Sequence, residues 1–228
     1  MITIGSRQVP ISSGSPYLTK EWKPVGNLAA RARFETTVTH SIREILQSMG
    51  GEFGLDHLGP NFIDTPVRVA RAYSEIFSGL LSDGIQIKEI LSRTFPAKAQ
   101  QMVTVGPISV WSMCPHHLLP VKMHVWLAYI PKKKVLGLSK LARLVELVAK
   151  KPGLQEETTE EIAVKLQNGL QPKGTACLIR GRHLCMEMRG VKKTAVTTTT
   201  SLQGVFFKPT VRDEFLASVR ADIPNTEW

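Results

Sequence analysis

Residues 121–129 read Val-Lys-Met-His-Val-Trp-Leu-Ala-Tyr. Val121, Met123, Val125, Leu127 and Tyr129 alternate with Lys122, His124, Trp126 and Ala128, and a period of two over that length predicts a half-buried antiparallel strand. Upstream, Val103 and Val105 alternate with threonine and glycine. Downstream, two more strands are predicted, around Thr175 to Ile179 and from His183 to Arg189. Between these pairs the period becomes helical. Leu141, Leu144, Val145 and Val148 share one side of a helix from Ser139 to Lys151, which Pro152-Gly153 breaks, and Ile162, Leu166 and Leu170 mark a second helix from Gln155 to Leu170. The order strand, strand, helix, helix, strand, strand predicts an α+β fold in which one antiparallel sheet carries a helix pair on one face.

Ahead of the sheet the pattern is helical. Val38, Ile42, Ile45 and Met49 recur from Glu35 to Met49 before Gly50-Gly51 stops them, and Asp64-Thr65-Pro66 opens a helix with the stripe Val69, Tyr73, Ile76 and Leu80. The chain therefore divides into a flexible tail rich in Gly, Ser and Pro over residues 1–30, a helical segment over 31–100, and a sheet-bearing domain over 101–228.

The 228 residues are 43% hydrophobic, enough for a buried core and too apolar for a disordered chain. No apolar run approaches the roughly 18 residues needed to span a bilayer, so no membrane partner is expected. The formal charge of +10 suits nucleic acid, a small polyanion such as a nucleoside triphosphate, or solvated surface lysines. No basic motif with interleaved aromatics is present, so nucleic acid is not an expected partner. Three cysteines, and no basic start followed by an apolar stretch at the N-terminus, suggest a reduced, cytoplasmic protein.

Ser112-Met113-Cys114-Pro115-His116-His117 concentrates metal-capable side chains. Cys114 and His117 have the spacing of a local chelate, although a buried thiol beside two surface histidines fits the same residues. In the stretch His183-Leu184-Cys185-Met186-Glu187-Met188-Arg189, a strand period would put His183, Cys185, Glu187 and Arg189 on one face and the apolar residues on the other. Cys114, His117 and Cys185 would then form a Cys2His set with an open fourth position, the pattern of catalytic zinc. Cys177, in an apolar strand, reads as a core thiol. Ser139, Lys140 and Arg143 open a helix, where two cations and free backbone N–H groups suit a phosphate chain or are ordinary surface cations. Gln155-Glu156 opens the next helix, and simple first-turn capping explains that pair equally well.

With these residues in place the sequence resembles the GTP cyclohydrolase I family. The matching segments are Asp64-Thr65-Pro66 with Arg68-Val69-Ala70, Ser112 to His117, Ala128 to Pro131, Gly137 to Arg143 with Val145, Gln155-Glu156, His183 to Gly190, and Thr197 to Phe206. They occur in the family's order and cover roughly Glu35 to Arg220. The resemblance implies a tunnelling fold, a toroidal homodecamer with active sites at subunit boundaries, and conversion of GTP and water to 7,8-dihydroneopterin triphosphate and formate. That reaction is the first step toward pterins and folates or deazapurines. A tunnelling-fold enzyme acting on a related purine or pterin is the alternative.

By the same resemblance Cys114, His117 and Cys185 bind Zn2+, and the choice of His117 over His116 rests on the family, not on spacing. His183 is implied as the general acid at N7, and His116 in later proton transfers. Glu156, with Gln155 beside it, would read the guanine edge. Arg68, Arg71, Lys140, Arg143 and Arg189, with Ser139 close by, would surround the triphosphate. Two features depart from the family. Pro115 stands where many members carry Glu, which stiffens the chelating turn and removes a carboxylate. An unusual Gly153 precedes Gln155-Glu156 and predicts a looser guanine loop. The alternation also brings the Glu187 carboxylate near Arg189.

Overall fold

The computed structural model describes residues 2–4, 7–9, 28–51, 59–81 and 85–223. In chain order these form β1 (Ile2–Ile4), β2 (Arg7–Val9), α1 (Leu28–Met49), α2 (Thr65–Ile76), α3 (Ile85–Ser92), β3 (Thr94–Pro96), β4 (Val103–Met113), β5 (Pro120–Ile130) and β6 (Lys134–Leu136). There follow α4 (Leu138–Ala149), α5 (Gln155–Leu170), β7 (Gly174–His183), α6 (Leu184–Glu187), β8 (Val196–Gly204) and α7 (Pro209–Asp222). Most of the tail expected over residues 1–30 lies outside the described residues; within it, β1 and β2 pair antiparallel.

The sheet has four antiparallel strands in the order β4-β5-β7-β8. Its first face carries Val121, Met123, Val125, Leu127, Tyr129, Cys177 and Ile179, which pack against Leu141, Leu144, Val145 and Val148 of α4 and Ile162, Ala163 and Leu166 of α5. These helical positions recur at the three- and four-residue spacing that puts them on one side of each helix. The α+β arrangement with a helix pair on one face is therefore as predicted.

The alternation of β5 does not make it half-buried. Trp126 and Ala128 are fully buried on the second face, because Phe206 and then Phe215 and Val219 of α7 cover them. Phe206 meets Phe215 edge-on, with ring centroids 6.0 Å apart, and Trp126 Nε1 donates to Asp222 Oδ2 at 3.3 Å. The sequence pattern predicts no helix over that face.

The stripes of the first two helices are also displaced. Leu46 is buried while Ile45 and Met49 are exposed, and on α2 Pro66, Ala70 and Ser74 are buried while Ile76 is exposed. The two helices pack on each other along rows four residues apart, and Phe34 reaches Phe77 with centroids 6.3 Å apart.

Strand register decides which residues gather at one end. Met113 lies opposite Pro120, Val121 lies opposite His183, and Arg182 lies opposite Val196. The end of β4, the start of β5 and the end of β7 therefore meet at one end of the sheet. No helix among the described residues is long and apolar enough to cross a membrane.

Candidate metal centre and active site

Beyond Met113 the chain makes a tight turn. The Cys114 N–H donates to Leu119 O and the Leu118 N–H donates back to Cys114 O, each at 2.9 Å. Leu118 sits in the left-handed region at φ 49°, which costs a residue with a Cβ roughly 1–2 kcal/mol. The turn aims two side chains at one point, placing Cys114 Sγ 3.6 Å from His117 Nδ1.

The third donor does not arrive on a strand. β7 ends at His183, and the predicted strand from His183 to Arg189 is replaced by one helical turn closed by the Met188 N–H donating to Leu184 O at 2.9 Å. The next partner on β5 would be Pro120, which has no N–H to extend the ladder, and the pairing with β8 stops at Val196. The shared face predicted for His183, Cys185, Glu187 and Arg189 is thereby lost. Cys185 instead enters from α6, which brings its free thiol close to that of Cys114.

Donor atoms of Cys114, His117 and Cys185 all lie within 4.8 Å of one another, the only such group of His, Cys, Asp and Glu among the described residues. His116, with Nδ1 3.9 Å from Cys114 Sγ, is outside that group. A tetrahedral zinc holds sulfur at about 2.3 Å and nitrogen at about 2.0 Å, which separates two such donors by about 3.5 Å. The Cys114–His117 spacing fits that geometry, and two thiols with one imidazole suit zinc chemically. Burial and the neighbouring Cys114 thiol push the Cys185 thiol up, while the Arg189 cation pulls it down.

Gln155 is buried at the first turn of α5. Its amide nitrogen donates to Ile179 O at 3.2 Å, Thr197 O at 3.1 Å and Thr199 Oγ1 at 3.0 Å. Three acceptors fix the amide's orientation and turn Oε1 toward His183 Nε2 at 3.0 Å. His183 must donate there, which leaves Nδ1 as the ring atom able to exchange a proton. Burial holds His183 below the ordinary imidazole value, against the pull of the Glu156 and Glu187 carboxylates. Gly181, not singled out in the sequence, makes this possible: a Cβ there would stand 2.1 Å from Gln155 Oε1. A glycine inside a strand between two arginines was the available signal.

The loop before Gln155 is not loose. The Gly153 N–H donates to Met113 O at 3.2 Å, Ser112 Oγ donates to Lys151 O at 3.1 Å, and Lys151 pairs with Glu161. Nor does Glu187 pair with Arg189; it accepts two hydrogen bonds from Arg182. Among the other expected residues, Glu156 is exposed on α5, Ser139 and Arg143 are exposed on α4, and Lys140 is half-buried. Arg68 pairs with Asp64 at 3.2 Å, and Arg71 lies near Glu35. No hydrogen bond or ion pair among the described residues joins Arg68, Arg71, Ser139, Lys140 or Arg143 to the Cys-His cluster.

This α+β chain gathers two thiols and an imidazole that could hold a metal ion, and a buried amide holds a second imidazole, His183. The sequence profile described as GTP cyclohydrolase I matches residues 38–220. Similar proteins include the GTP cyclohydrolase 1 of Clostridium perfringens, 43% identical over 172 residues, covering 75% of this chain and 89% of the relative. That of Carboxydothermus hydrogenoformans is 46% identical over 168 residues, 73% of this chain and 84% of the relative. That of Bacillus pumilus is 42% identical over 188 residues, 81% and 96% of the two chains. The chain belongs to the GTP cyclohydrolase I family of enzymes.

Proposed function

We propose that this protein is a zinc-dependent enzyme that opens the imidazole ring of GTP, giving 7,8-dihydroneopterin triphosphate and formate as the first step toward pterins and folates or deazapurines. The convergence of Cys114, His117 and Cys185 within 4.8 Å, in a chain of this family, carries the reading. These three residues would hold the ion and leave a fourth position open. The chemistry a bound zinc supplies is Lewis acidity, which brings ionisation of water toward neutral pH.

The remaining work falls to the chain's own groups. His183, anchored at Nε2 by Gln155, delivers a proton from Nδ1 to N7 of the base and so makes C8 electrophilic. Glu156, exposed and acidic at the first turn of α5, accepts from N1–H and the 2-amino group, a pair of donors that adenine lacks. Gln155, grouped with Glu156 by the family resemblance, already uses its amide on β7, β8 and His183, so guanine recognition falls to Glu156. His116, beside the ligand turn but outside the donor group, serves the later proton transfers. Arg68, Arg71, Lys140, Arg143 and Arg189, with Ser139, would receive the triphosphate.

Membership of this family, whose resemblance implies active sites at subunit boundaries, supports a site completed by a neighbouring copy. The open edges of β4 and β8 suit the closure of sheets from several copies into a ring, and we propose a toroidal homodecamer in the cytoplasm. The test is metal analysis together with turnover: zinc-loaded protein should release formate from GTP and yield a pterin that fluoresces after oxidation. Zinc-loaded protein that leaves GTP intact would overturn the reading.

A further inference from the structure

The turn that carries Cys185 is short and thinly packed. α6 is four residues long, Met186 is 37% exposed, and Met188 just beyond it is 61% exposed. Its backbone is held by Met188 N–H to Leu184 O at 2.9 Å and Lys193 N–H to Met186 O at 3.1 Å. A stronger tie runs back to the sheet. Arg182 donates from Nε to Glu187 Oε1 at 2.8 Å and from Nη2 to Oε2 at 2.5 Å, a two-pronged pair whose side chains are 28% and 16% exposed.

Arg182 is an anchored base for such a tie, because its backbone lies between Lys122 of β5 and Val196 of β8. Glu187 is five residues further along, so the pair closes a ring around His183, Leu184, Cys185 and Met186. Glu187 itself is outside the donor group that could hold a metal.

We propose that the Arg182–Glu187 pair is a clamp that positions Cys185 for the metal, touching neither metal nor substrate. Most exposed ion pairs contribute little, but this one is bidentate, largely covered, and fixes the orientation of a ligand-bearing turn. Outer partners that orient a ligand typically change metal affinity by about 10–100-fold. The clamp has a second effect: by occupying the Glu187 carboxylate it keeps that charge off Arg189, which forms no ion pair among the described residues and stays available for an anion.

The inference rests on the zinc reading above, so the experiment separates the two. Zinc affinity would be measured by competition with a chromophoric chelator. Cobalt-substituted protein would be scored for its thiolate-to-metal absorption, and metal-free protein for its thermal midpoint. Glu187→Ala and Arg182→Ala should each weaken zinc binding roughly 10–100-fold and alter the cobalt spectrum, with the metal-free midpoint within about 3 °C of the parent. The charge-reversed double variant Arg182→Glu/Glu187→Arg should recover most of the affinity, and Glu187→Gln, which keeps the shape and one acceptor, should lose less than Glu187→Ala. Single variants with parental affinity and an unchanged spectrum would overturn the clamp, as would a reversed pair that recovers nothing. If Cys185→Ala binds zinc as tightly as the parent, the zinc reading and the clamp fall together.

Discussion

His183 donates from Nε2 to Gln155 Oε1 across 3.0 Å, and the same amide is held by three oxygens of β7 and β8. A ring so fixed has one tautomer when neutral and one nitrogen left for proton transfer. Gln155→Ala should therefore lower kcat roughly 100-fold while leaving KM for GTP within about threefold, the signature of a lost proton-transfer geometry. Steady-state kinetics with GTP checks this, and a large KM effect at unchanged kcat would instead make Gln155 a substrate contact.

Gly181→Ala should reproduce that phenotype without altering any polar group. The added methyl would sit 2.1 Å from Gln155 Oε1, so the amide must move and His183 loses its acceptor. Because both substitutions break the same contact, the double variant should be little worse than either single one. Additive losses in kcat would show that Gly181 matters for another reason.

Loss of a ligand should be all-or-none at the metal. Purified parent should carry one zinc per chain, and Cys114→Ala or Cys185→Ala should carry less than a tenth of that after dialysis, with turnover lost in parallel. Atomic absorption alongside formate release tests this. A Cys185→Ala protein with full zinc and full activity would contradict the assigned donor set.

The cations proposed for the triphosphate should act on binding. Lys140→Ala and Arg189→Ala should each raise KM for GTP about 10–100-fold, the worth of one charged hydrogen bond, with kcat within about threefold. The increase should shrink as ionic strength rises. Unchanged KM at low salt would remove these residues from the triphosphate site.

The second face of the sheet contributes stability rather than chemistry. Trp126 is fully buried under α7, and Trp126→Ala should cost about 3–5 kcal/mol in denaturant unfolding. Turnover per folded molecule should stay near parental, which thermal inactivation and active-site titration together would reveal.

Where helical or strand period governs a buried face, the sequence was readable. The stripe Leu141, Leu144, Val145 and Val148 appears where predicted, and so does the strand through Val121 to Tyr129. What failed depended on partners distant in the chain. The alternation of β5 gives no sign that its second face is covered, because Phe215 and Val219 lie almost a hundred residues away among charged neighbours. The alternation from His183 to Arg189 is genuine, yet a strand needs a neighbour, and Pro120 and the end of β8 withhold one. In the site, the Cys114–His117 spacing was visible locally. That Cys185 reaches the same point depends on the register of β4, β5 and β7, and the hold of Gln155 on His183 depends on Thr199 and Gly181 being brought beneath one amide.

Cys114 follows β4 and Cys185 follows β7, two strands that never touch because β5 runs between them. A metal held by both thiols would therefore be captured only by a molecule whose central strands have already zipped together. During refolding, metal uptake should trail the early return of helical circular dichroism and keep step with completion of the sheet. Such a centre would double as a reporter of when the nascent chain has finished assembling its interior.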